Sequence, residues 1–314
     1  MKAFAIEEFE GPGSVRDVPV PDPTEGQVRI RVAVAGLNPF DNAVVQGYLK
    51  DRMEHRFPLV PGMDASGVVE AIGSGVSAWA VGDEVFGSVG KPYLGEGTLA
   101  ELATMSSSTI AAKPLAIDHK VAAAVPTAGV TAFVMVDAAA VADGQVVLAI
   151  GATGGVGSYL VQLAARLGAR VVAVCRGENA DYAKTLGATD VIDYTTGDVV
   201  ETVRSRYPQG VDAVADMHGD RDLVAGLAEL VRSGGRVTSA VGAADPEALA
   251  KREIEATNVH GLVTTESLEA MVVMIEKGEI VSPELRSFPL SEAAEALGEI
   301  AGGHTRGKIV IVPS

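Results

Sequence analysis

The sequence has very few residues that bind metals or form disulfides. It contains one cysteine, Cys175, and five histidines, at positions 55, 119, 218, 260 and 304. A single cysteine cannot form an internal disulfide or a multi-thiolate metal cluster, and the histidines nowhere stand at the spacing of paired metal ligands. These absences exclude a secreted disulfide scaffold and a structural zinc site. The sequence therefore predicts a cytoplasmic protein without a bound metal ion.

Positive charge is scarce as well. The 314 residues include 25 Lys and Arg against 41 Asp and Glu, so the formal net charge is −16. Nucleic-acid binding requires clustered positive charge, and we therefore expect no nucleic-acid partner. Residues 1–10 include three glutamates where an export signal needs basic residues followed by an apolar stretch, so no export is expected.

Long hydrophobic runs are interrupted by glycine. The longest uncharged stretch, residues 145–165, has the length of a membrane span, but Gly151, Gly154, Gly155 and Gly157 lie at its centre. We interpret this stretch as a strand, a turn and a helix, and we expect no membrane partner. Hydrophobic residues still make up 47% of the chain, which is ample for the cores of two domains.

The hydrophobic pattern changes along the chain. In the first third, apolar and polar residues alternate, as in residues 27–34, which is typical of antiparallel strands. From about residue 121, apolar runs alternate with amphipathic stretches, which is typical of parallel strands covered by helices. The parallel strands are predicted at residues 146–150, 171–175, 191–192, 211–215, 236–241 and 260–263. The predicted fold class is α/β, with a Rossmann doubly wound parallel sheet in residues 121–265 and a mostly β substrate domain in residues 1–120 and 266–314.

A glycine-rich turn follows the first of these parallel strands and opens a helix. Gly154 would let the backbone approach a pyrophosphate, Gly157 would let the helix pack on the strand, and the helix N-terminus offers free N–H groups. Ala152 occupies the place of the first fingerprint glycine. The alternative, a turn that serves packing alone, is disfavoured by the complete sheet that follows. The predicted cofactor contacts here are Thr153, Gly154, Gly155, Val156 and Gly157.

The end of the second parallel strand predicts which nicotinamide cofactor binds. A carboxylate there would hold the ribose 2′-hydroxyl of NAD, whereas a cation would accept the 2′-phosphate of NADP. Arg176 stands 19 residues after Gly157 (176 − 157), near the usual offset of the discriminating residue. We therefore predict NADP(H). Two alternatives stay open, since Arg176 could be an ordinary solvated cation and Glu178 could support NAD.

Several ordered motifs together resemble one family. They are Asn-Pro-Phe-Asp at residues 38–41 and the segments 61–69, 81–85, 97–101, 126–132 and 151–157. In order and spacing they resemble the medium-chain dehydrogenase/reductase superfamily, in its zinc-free quinone oxidoreductase (zeta-crystallin-like) branch. The resemblance runs nearly end to end and implies a GroES-like substrate domain.

The sequence departs from the zinc-dependent branch of that superfamily. That branch has a cysteine after an early strand and a Gly-His-Glu motif, whereas this chain has Val-Ala-Gly-Leu at residues 34–37 and Gly-Met-Asp at residues 62–64. No catalytic zinc is therefore expected. Without a strong electrophile, hydride addition favours acceptors that delocalise the resulting charge, such as quinones and α,β-unsaturated carbonyls.

The resemblance also implies the roles of individual residues. Asn38 and Asp41 would polarise the acceptor or relay a proton, with an Asx-type turn at Asn38 as an equally open alternative. The expected cofactor contacts beyond the glycine turn and Arg176 are Phe40, Thr127 and Phe133 beside the nicotinamide, Tyr194 at the adenosine end, and the backbone of Val241, Gly242, Leu262 and Val263 at the carboxamide.

The sequence also bears on other functions and on the oligomeric state. An enoyl-thioester reductase would need a basic entrance for its carrier, which the acidic chain disfavours. A non-catalytic NADPH-binding sensor or structural protein stays open because Ala43 stands where relatives often carry a tyrosine. The resemblance further implies a homodimer formed by edge pairing of the two Rossmann sheets, with residues 236–241 and 260–263 as the candidate edges.

Overall fold

The structure is a computed structural model and describes residues 1–313. In chain order its strands and helices are β1 (Lys2–Ala5), β2 (Ser14–Asp17), β3 (Gln27–Gly36), α1 (Pro39–Val45), β4 (Glu54–Val60), β5 (Asp64–Ile72), β6 (Glu84–Ser88), β7 (Tyr93–Glu96), β8 (Leu102–Ser106), β9 (Ile110–Ala112), α2 (His119–Ala124), α3 (Pro126–Ala138), β10 (Val146–Ile150), α4 (Gly155–Arg166), β11 (Arg170–Cys175), α5 (Ala180–Thr185), β12 (Asp190–Asp193), α6 (Val199–Arg206), β13 (Val211–Asp216), α7 (Arg221–Ala228), β14 (Val231–Ser239), α8 (Pro246–Ala250), β15 (Glu255–Asn258), α9 (Thr265–Glu276), β16 (Leu285–Pro289), α10 (Ala293–Ala301) and β17 (Lys308–Val312).

These elements form two compact units. The first comprises residues 1–130 and the chain from residue 263 onward, and the second comprises residues 131–262. The predicted α/β fold class, a parallel Rossmann sheet with a mostly β partner domain, is confirmed. The domain boundaries at residues 120 and 265 stay predictions.

The second unit is built on a six-stranded parallel sheet. Its strand order is β12-β11-β10-β13-β14-β15. Strand β10 is buried along its whole length, because the run Val-Val-Leu-Ala-Ile suits a strand covered on both faces. The order of the strands reverses between β10 and β13, and ligands of such sheets bind at the carboxyl ends of the strands at that point. Residues 151–157 follow β10 at this position.

The first unit centres on a seven-stranded sheet. Its main path is β16-β17-β3-β5-β6-β9, and β8 also pairs with β3. Gly36, the last residue of β3, lies opposite Asp64 at the start of β5 and opposite Val310 in the middle of β17. Because of this register, the first residues of β5 and β17 flank the segment that follows β3.

Each unit has its own hydrophobic core. Buried side chains of the first core include Ile30, Leu59, Leu99, Ile110 and Ile311. Buried side chains of the second include Leu148, Val172, Val214, Leu227 and Val237. Residues 145–165 contribute β10, the glycine turn and most of α4. Among the described residues, no helix combines the length and the apolar character needed to cross a bilayer.

The sixth parallel strand lies earlier than predicted. It is β15, Glu255–Asn258, whereas residues 260–263 form no regular element and Leu262 is 79% exposed. The prediction was wrong because β15 is an edge strand with one hydrogen-bonded neighbour, so it needs no continuous apolar run. Strand β14 also ends earlier, at Ser239, which leaves Val241 in the following loop.

The sheet order also corrects the predicted dimer edges. Strand β14 pairs with β13 on one side and with β15 on the other, so residues 236–241 do not form a free edge. Strand β15 is the free edge at that end of the second unit's sheet.

The close approach at Gly157 makes a prediction about stability. A Cβ atom at this position would lie 2.2 Å from the Gly151 carbonyl oxygen, so we expect Gly157→Ala to lower the free energy of unfolding by about 2 kcal/mol or more. The matched control is Gly298→Ala in α10, where a Cβ would meet no atom within 4 Å and where we expect a gain of about 0.5–1 kcal/mol. Chemical denaturation measures both changes. A Gly157→Ala protein as stable as the wild type would contradict the close packing of this turn.

Candidate active site

The glycine turn is tied to the neighbouring strand. Gly151 adopts φ +76°, a conformation that favours glycine, and its N–H donates to the Val174 carbonyl of β11 at 3.2 Å. Gly154 is the N-cap of α4, a helix of 12 residues. The first N–H groups of such a helix lack intrahelical partners and carry partial positive charge. The predicted contacts Thr153 to Gly157 therefore lie together in one turn that fits a pyrophosphate.

Arg176 and Tyr194 meet at the end of β11. The Arg176 Nε donates to the Tyr194 hydroxyl at 3.0 Å, and the Tyr194 N–H donates to the Cys175 carbonyl at 3.3 Å. Glu178 lies at the limit of an ion pair, 4.0 Å from the Arg176 Nη1. The structure thus brings two predicted adenosine-end residues into contact. Burial raises the pKa of Cys175 to about 11, so this thiol stays protonated and is a poor nucleophile.

Asp216 anchors two loops of the second unit. Its carboxylate accepts hydrogen bonds from the backbone N–H groups of His218, at 3.0 Å, and of Gly219. The Ser239 hydroxyl donates to Asp216 at 2.7 Å and itself accepts from the Val241 N–H at 3.2 Å. A carboxylate beside a phosphate would be unfavourable, so Asp216 is not a candidate phosphate ligand. The structure shows that it orders the loops after β13 and β14, and Val241 lies in the second of these.

A buried polar cluster lies in the first unit at the junction of β3, β5 and β17. Its members are Asn38, Asp41, Asp64, Thr127 and Lys308. The Asn38 Nδ2 donates to Asp64 at 2.9 Å, and the Lys308 Nζ donates to the Asn38 Oδ1 at 2.7 Å. Thr127 donates to Asp64 from its hydroxyl at 2.7 Å and from its N–H at 3.0 Å. Three of the predicted site residues, Asn38, Asp41 and Thr127, therefore share one network.

The local sequence determines where Asp41 lies. Pro39 starts α1, Asn38 is its N-cap, and Asp41 is the third helical residue. The Asp41 Oδ2 accepts the Asn38 N–H at 2.7 Å, as the acidic residue of a capping box does. The Asn38 side chain is engaged with Asp64 and Lys308, so it is part of the network as well as of the turn. Phe40 lies on the same helix and is 36% exposed.

Asp41 is an unusual carboxyl group. It is 1% exposed, and its Oδ1 has no hydrogen-bond partner. The pKa of Asp41 is raised to about 7. Burial is the main cause and the nearby Asp64 adds to it, while the Asn38 N–H, Lys308 and the Met63 N–H oppose the rise. Asp41 also lines a pocket in the first unit together with Met63, Tyr93 and Glu96. A carboxyl group with this pKa exchanges a proton near neutral pH.

Burial also acts on the other two charged members of the cluster. It raises the pKa of Asp64, but Lys308, Thr127 and Asn38 all oppose that rise. Burial lowers the pKa of Lys308, and the two carboxyl groups oppose the fall. Sequence reasoning missed both Asp64 and Lys308 as site residues. The available signal was a charged residue at the start of the apolar strand Lys-Ile-Val-Ile-Val.

The remaining predicted contacts are placed as follows. Phe133 lies on α3, Val241 and Gly242 follow β14, and Leu262 and Val263 follow β15. Phe133, Tyr194, Val241 and Leu262 are among the exposed large apolar side chains of the protein, at 37% or more. Exposed apolar side chains are a common feature of ligand-binding surfaces.

The residues of the polar cluster do not fit a metal ion. Both oxygens of Asp64 accept protein hydrogen bonds, and the Asn38 Oδ1 accepts from Lys308. Over residues 1–313, no group of three or more His, Cys, Asp or Glu side chains is placed to hold a metal. The Gly-Met-Asp segment at residues 62–64 contributes Asp64 to the cluster and no nitrogen or thiolate ligand.

Comparison with known proteins identifies the family. Residues 24–115 match the family described as the alcohol dehydrogenase GroES-like domain, and residues 186–311 match the family described as zinc-binding dehydrogenase. The chain is 31% identical to the chloroplast envelope quinone oxidoreductase homolog of Arabidopsis thaliana, over 94% of this chain and 92% of the relative. It is also 31% identical to the chloroplastic NADPH-dependent alkenal/one oxidoreductase of the same plant, over 100% of this chain and 80% of the relative.

A solved structure agrees with these relatives. The quinone oxidoreductase from Coxiella burnetii superimposes with a TM-score of 0.90 at 30% identity, and the match covers 100% of this chain and 99% of that one. The chain belongs to the medium-chain dehydrogenase/reductase superfamily, and the resemblance inferred from the sequence motifs is confirmed.

The raised pKa of Asp41 predicts a pH-dependent stability difference. A carboxyl whose pKa is higher in the folded state binds more protons there than in the unfolded state, so its contribution to stability falls as the pH rises from about 4 to about 7. We expect the Asp41→Asn protein to gain stability relative to the wild type across this range, by about 1.4 kcal/mol for each unit of pKa shift. Urea denaturation at several pH values measures the difference.

The control for this comparison is Asp51→Asn, because Asp51 is exposed. Its stability difference from the wild type should be small at every pH. A difference between Asp41→Asn and the wild type that does not change between pH 4 and pH 8 would show that Asp41 titrates like an exposed carboxyl.

Proposed function

We propose that the protein is an NADPH-dependent oxidoreductase that transfers hydride to a quinone or an α,β-unsaturated carbonyl without zinc. The observation that carries this proposal is the glycine turn after β10, with the Arg176–Tyr194 pair at the end of the adjacent strand. The names of the two Arabidopsis relatives, a quinone oxidoreductase homolog and an NADPH-dependent alkenal/one oxidoreductase, support the same class of substrate.

The choice of NADPH rests on Arg176. The Arg176 Nε donates to the Tyr194 hydroxyl, so the two terminal nitrogens of the Arg176 guanidinium remain to bind a phosphate. Glu178 is the group that would favour NADH, and it lies 4.0 Å from the Arg176 Nη1. A 2′-phosphate between these side chains would be attracted by Arg176 and repelled by Glu178. We therefore assign Arg176 to the 2′-phosphate and Tyr194 to the adenosine end.

The other cofactor contacts are assigned within each unit. In the second unit, Thr153, Gly154, Gly155, Val156 and Gly157 would hold the pyrophosphate, and Phe133, Val241, Gly242 and Leu262 would contact the nicotinamide end. In the first unit, Phe40, Thr127 and Val263 would contact the nicotinamide end. Asp216 supports this arrangement indirectly, because it fixes the loop that carries Val241.

The chemistry assigned to this chain's own residues is proton transfer and orientation. A bound nicotinamide supplies the hydride. Asp41 holds a proton in a buried pocket, and we assign it to protonate the substrate oxygen after hydride reaches carbon. Its carboxylate then regains a proton from solvent. The Asn38 N–H donates to Asp41 and so holds it in position. The Asn38 side chain could polarise the acceptor only if it gave up its hydrogen bond to Asp64 or to Lys308.

Two further properties are part of the proposal. A homodimer would form through the free edge of β15, where unpaired backbone groups are available. A cytoplasmic location rests on the single cysteine.

The proposed function predicts the outcome of a cofactor and acceptor panel. We expect metal-free protein to oxidise NADPH in preference to NADH with quinones and enals, followed at 340 nm. Arg176→Ala should lower kcat/KM for NADPH by about tenfold or more and leave that for NADH nearly unchanged, because one phosphate contact is worth about 1.5–3 kcal/mol. The control is Arg204→Ala, an exposed arginine in α6.

Other outcomes of the panel would overturn parts of the proposal. A preference for NADH would contradict the assignment of Arg176. Turnover only with a crotonyl thioester would indicate an enoyl-thioester reductase. Tight NADPH binding without turnover of any acceptor would indicate a sensor or structural protein.

A further inference from the structure

Lys308 is a buried cation for which the proposed reaction has no direct use. It is 4% exposed and stands at the start of β17. Placing an ammonium group in a protein interior is costly unless the group is paired and hydrogen-bonded. The Lys308 Nζ donates to the Leu37 carbonyl at 2.6 Å and to the Asn38 Oδ1 at 2.7 Å. Its contacts are therefore with the segment that leads into α1.

The backbone keeps Lys308 at this place. Leu37 donates its N–H to the Ile309 carbonyl at 3.0 Å, and Val310 pairs with Gly36 in the sheet. The last strand of the first unit is thus bonded to residues 36–38, and the Lys308 side chain cannot move away without breaking buried hydrogen bonds.

Asp64 is hydrogen-bonded to the other end of the Asn38 side-chain amide. The Asn38 Nδ2 donates to Asp64, while its Oδ1 accepts from Lys308. An ammonium group only donates and a carboxylate only accepts, so these two neighbours permit one orientation of the Asn38 amide. The same residue donates its backbone N–H to Asp41 at 2.7 Å.

The hydrogen bonds also indicate which of the two carboxyl groups, Asp41 or Asp64, is ionised. The cluster contains one cation and two carboxyl groups, so full ionisation would leave a net negative charge in a dry interior. Asp64 accepts three hydrogen bonds from Asn38 and Thr127, which favours its ionised form. Asp41 accepts one, from the Asn38 N–H; its Oδ1 has no partner at hydrogen-bonding geometry, and the nearby Met63 N–H favours its ionised form only weakly. The proton is therefore best placed on Asp41.

We propose that Lys308 and Asp64 are positioning residues, which lock the Asn38 amide between them and together set the charge on Asp41. Lys308 favours the ionised form of Asp41 and Asp64 disfavours it. Tyr93 and Glu96 also line the pocket. Lys91 and the Tyr93 hydroxyl donate to Glu96, and Arg56 lies over the Tyr93 ring and 4.0 Å from Glu96. The catalytic consequence of this inference rests on the proposed function, whereas the charge on Asp41 does not.

The test uses two substitutions with opposite expected effects. Lys308→Met removes the positive charge and should raise the pH at which Asp41 titrates. Asp64→Asn removes the negative charge with little change of shape and should lower it. Each shift should be about one pH unit, as is usual for a charge within hydrogen-bonding distance of the cluster. Lys308→Arg keeps the positive charge, so Asp41 should titrate in this variant at the same pH as in the wild type.

The primary readout is the 13C resonance of the Asp41 carboxyl in labelled full-length protein without cofactor, assigned by its loss in Asp41→Asn. The second readout is the pH profile of kcat, whose alkaline limb should move in the same direction as the resonance in each variant. Lys2→Met and Asp17→Asn are the matched controls, because they remove the same charges from an exposed ion pair of the same unit. Neither control should shift the titration.

Shifts in the same direction for Lys308→Met and Asp64→Asn, or no shift in either, would overturn the inference. An Asp41 resonance that titrates as an exposed carboxyl in the wild type would overturn it as well. If either variant fails to fold, the sign of the shift in the remaining variant decides the direction, and Lys308→Arg is the control that keeps the charge. Opposite resonance shifts in a protein without turnover of any acceptor would support the charge assignment and reject the proposed reaction.

Discussion

The pairing of the last strand with β3 is the contact on which the first unit's site depends. It brings Lys308 within hydrogen-bonding distance of residues that stand some 270 positions earlier in the chain. The register of β5 on the other side of β3 places Asp64 opposite Gly36. Since both neighbours are fixed by backbone hydrogen bonds, Asn38 has little freedom, and Asp41 is fixed in turn through the Asn38 N–H.

Three buried aspartates show how the number of donors determines the role of a carboxyl group. Asp216 accepts from two backbone N–H groups and one hydroxyl, and it orders loops. Asp64 accepts from an amide, a hydroxyl and a backbone N–H, and it orients Asn38. Asp41 accepts one hydrogen bond and retains an oxygen without a partner. Burial raises the pKa of all three carboxyl groups, and the third environment has the fewest hydrogen-bond donors to oppose that rise.

The parts of the structure that the sequence predicts are those with local causes. Strand β10 and the glycine turn were identified because a fully buried strand and a turn with positive φ restrict residue type at each position. Strand β15 was missed because an edge strand places weaker demands on its residues. The partnership of Lys308 with Asn38 depends on strand register across most of the chain, which no local pattern contains.

The pKa of the Asp41 carboxyl limits which hydride acceptors this site can protonate. A carboxyl group whose pKa is near 7 transfers its proton efficiently to oxygen bases that delocalise their charge, such as an enolate or a quinol anion. An isolated alkoxide would need stabilisation before protonation, which a metal or a set of fixed donors provides in other enzymes. In the cluster around Asp41, the Asn38 amide, Thr127 and Lys308 already donate to acceptors of the protein itself. The arrangement of hydrogen bonds therefore favours quinones and enones over simple ketones, independently of the names of the relatives.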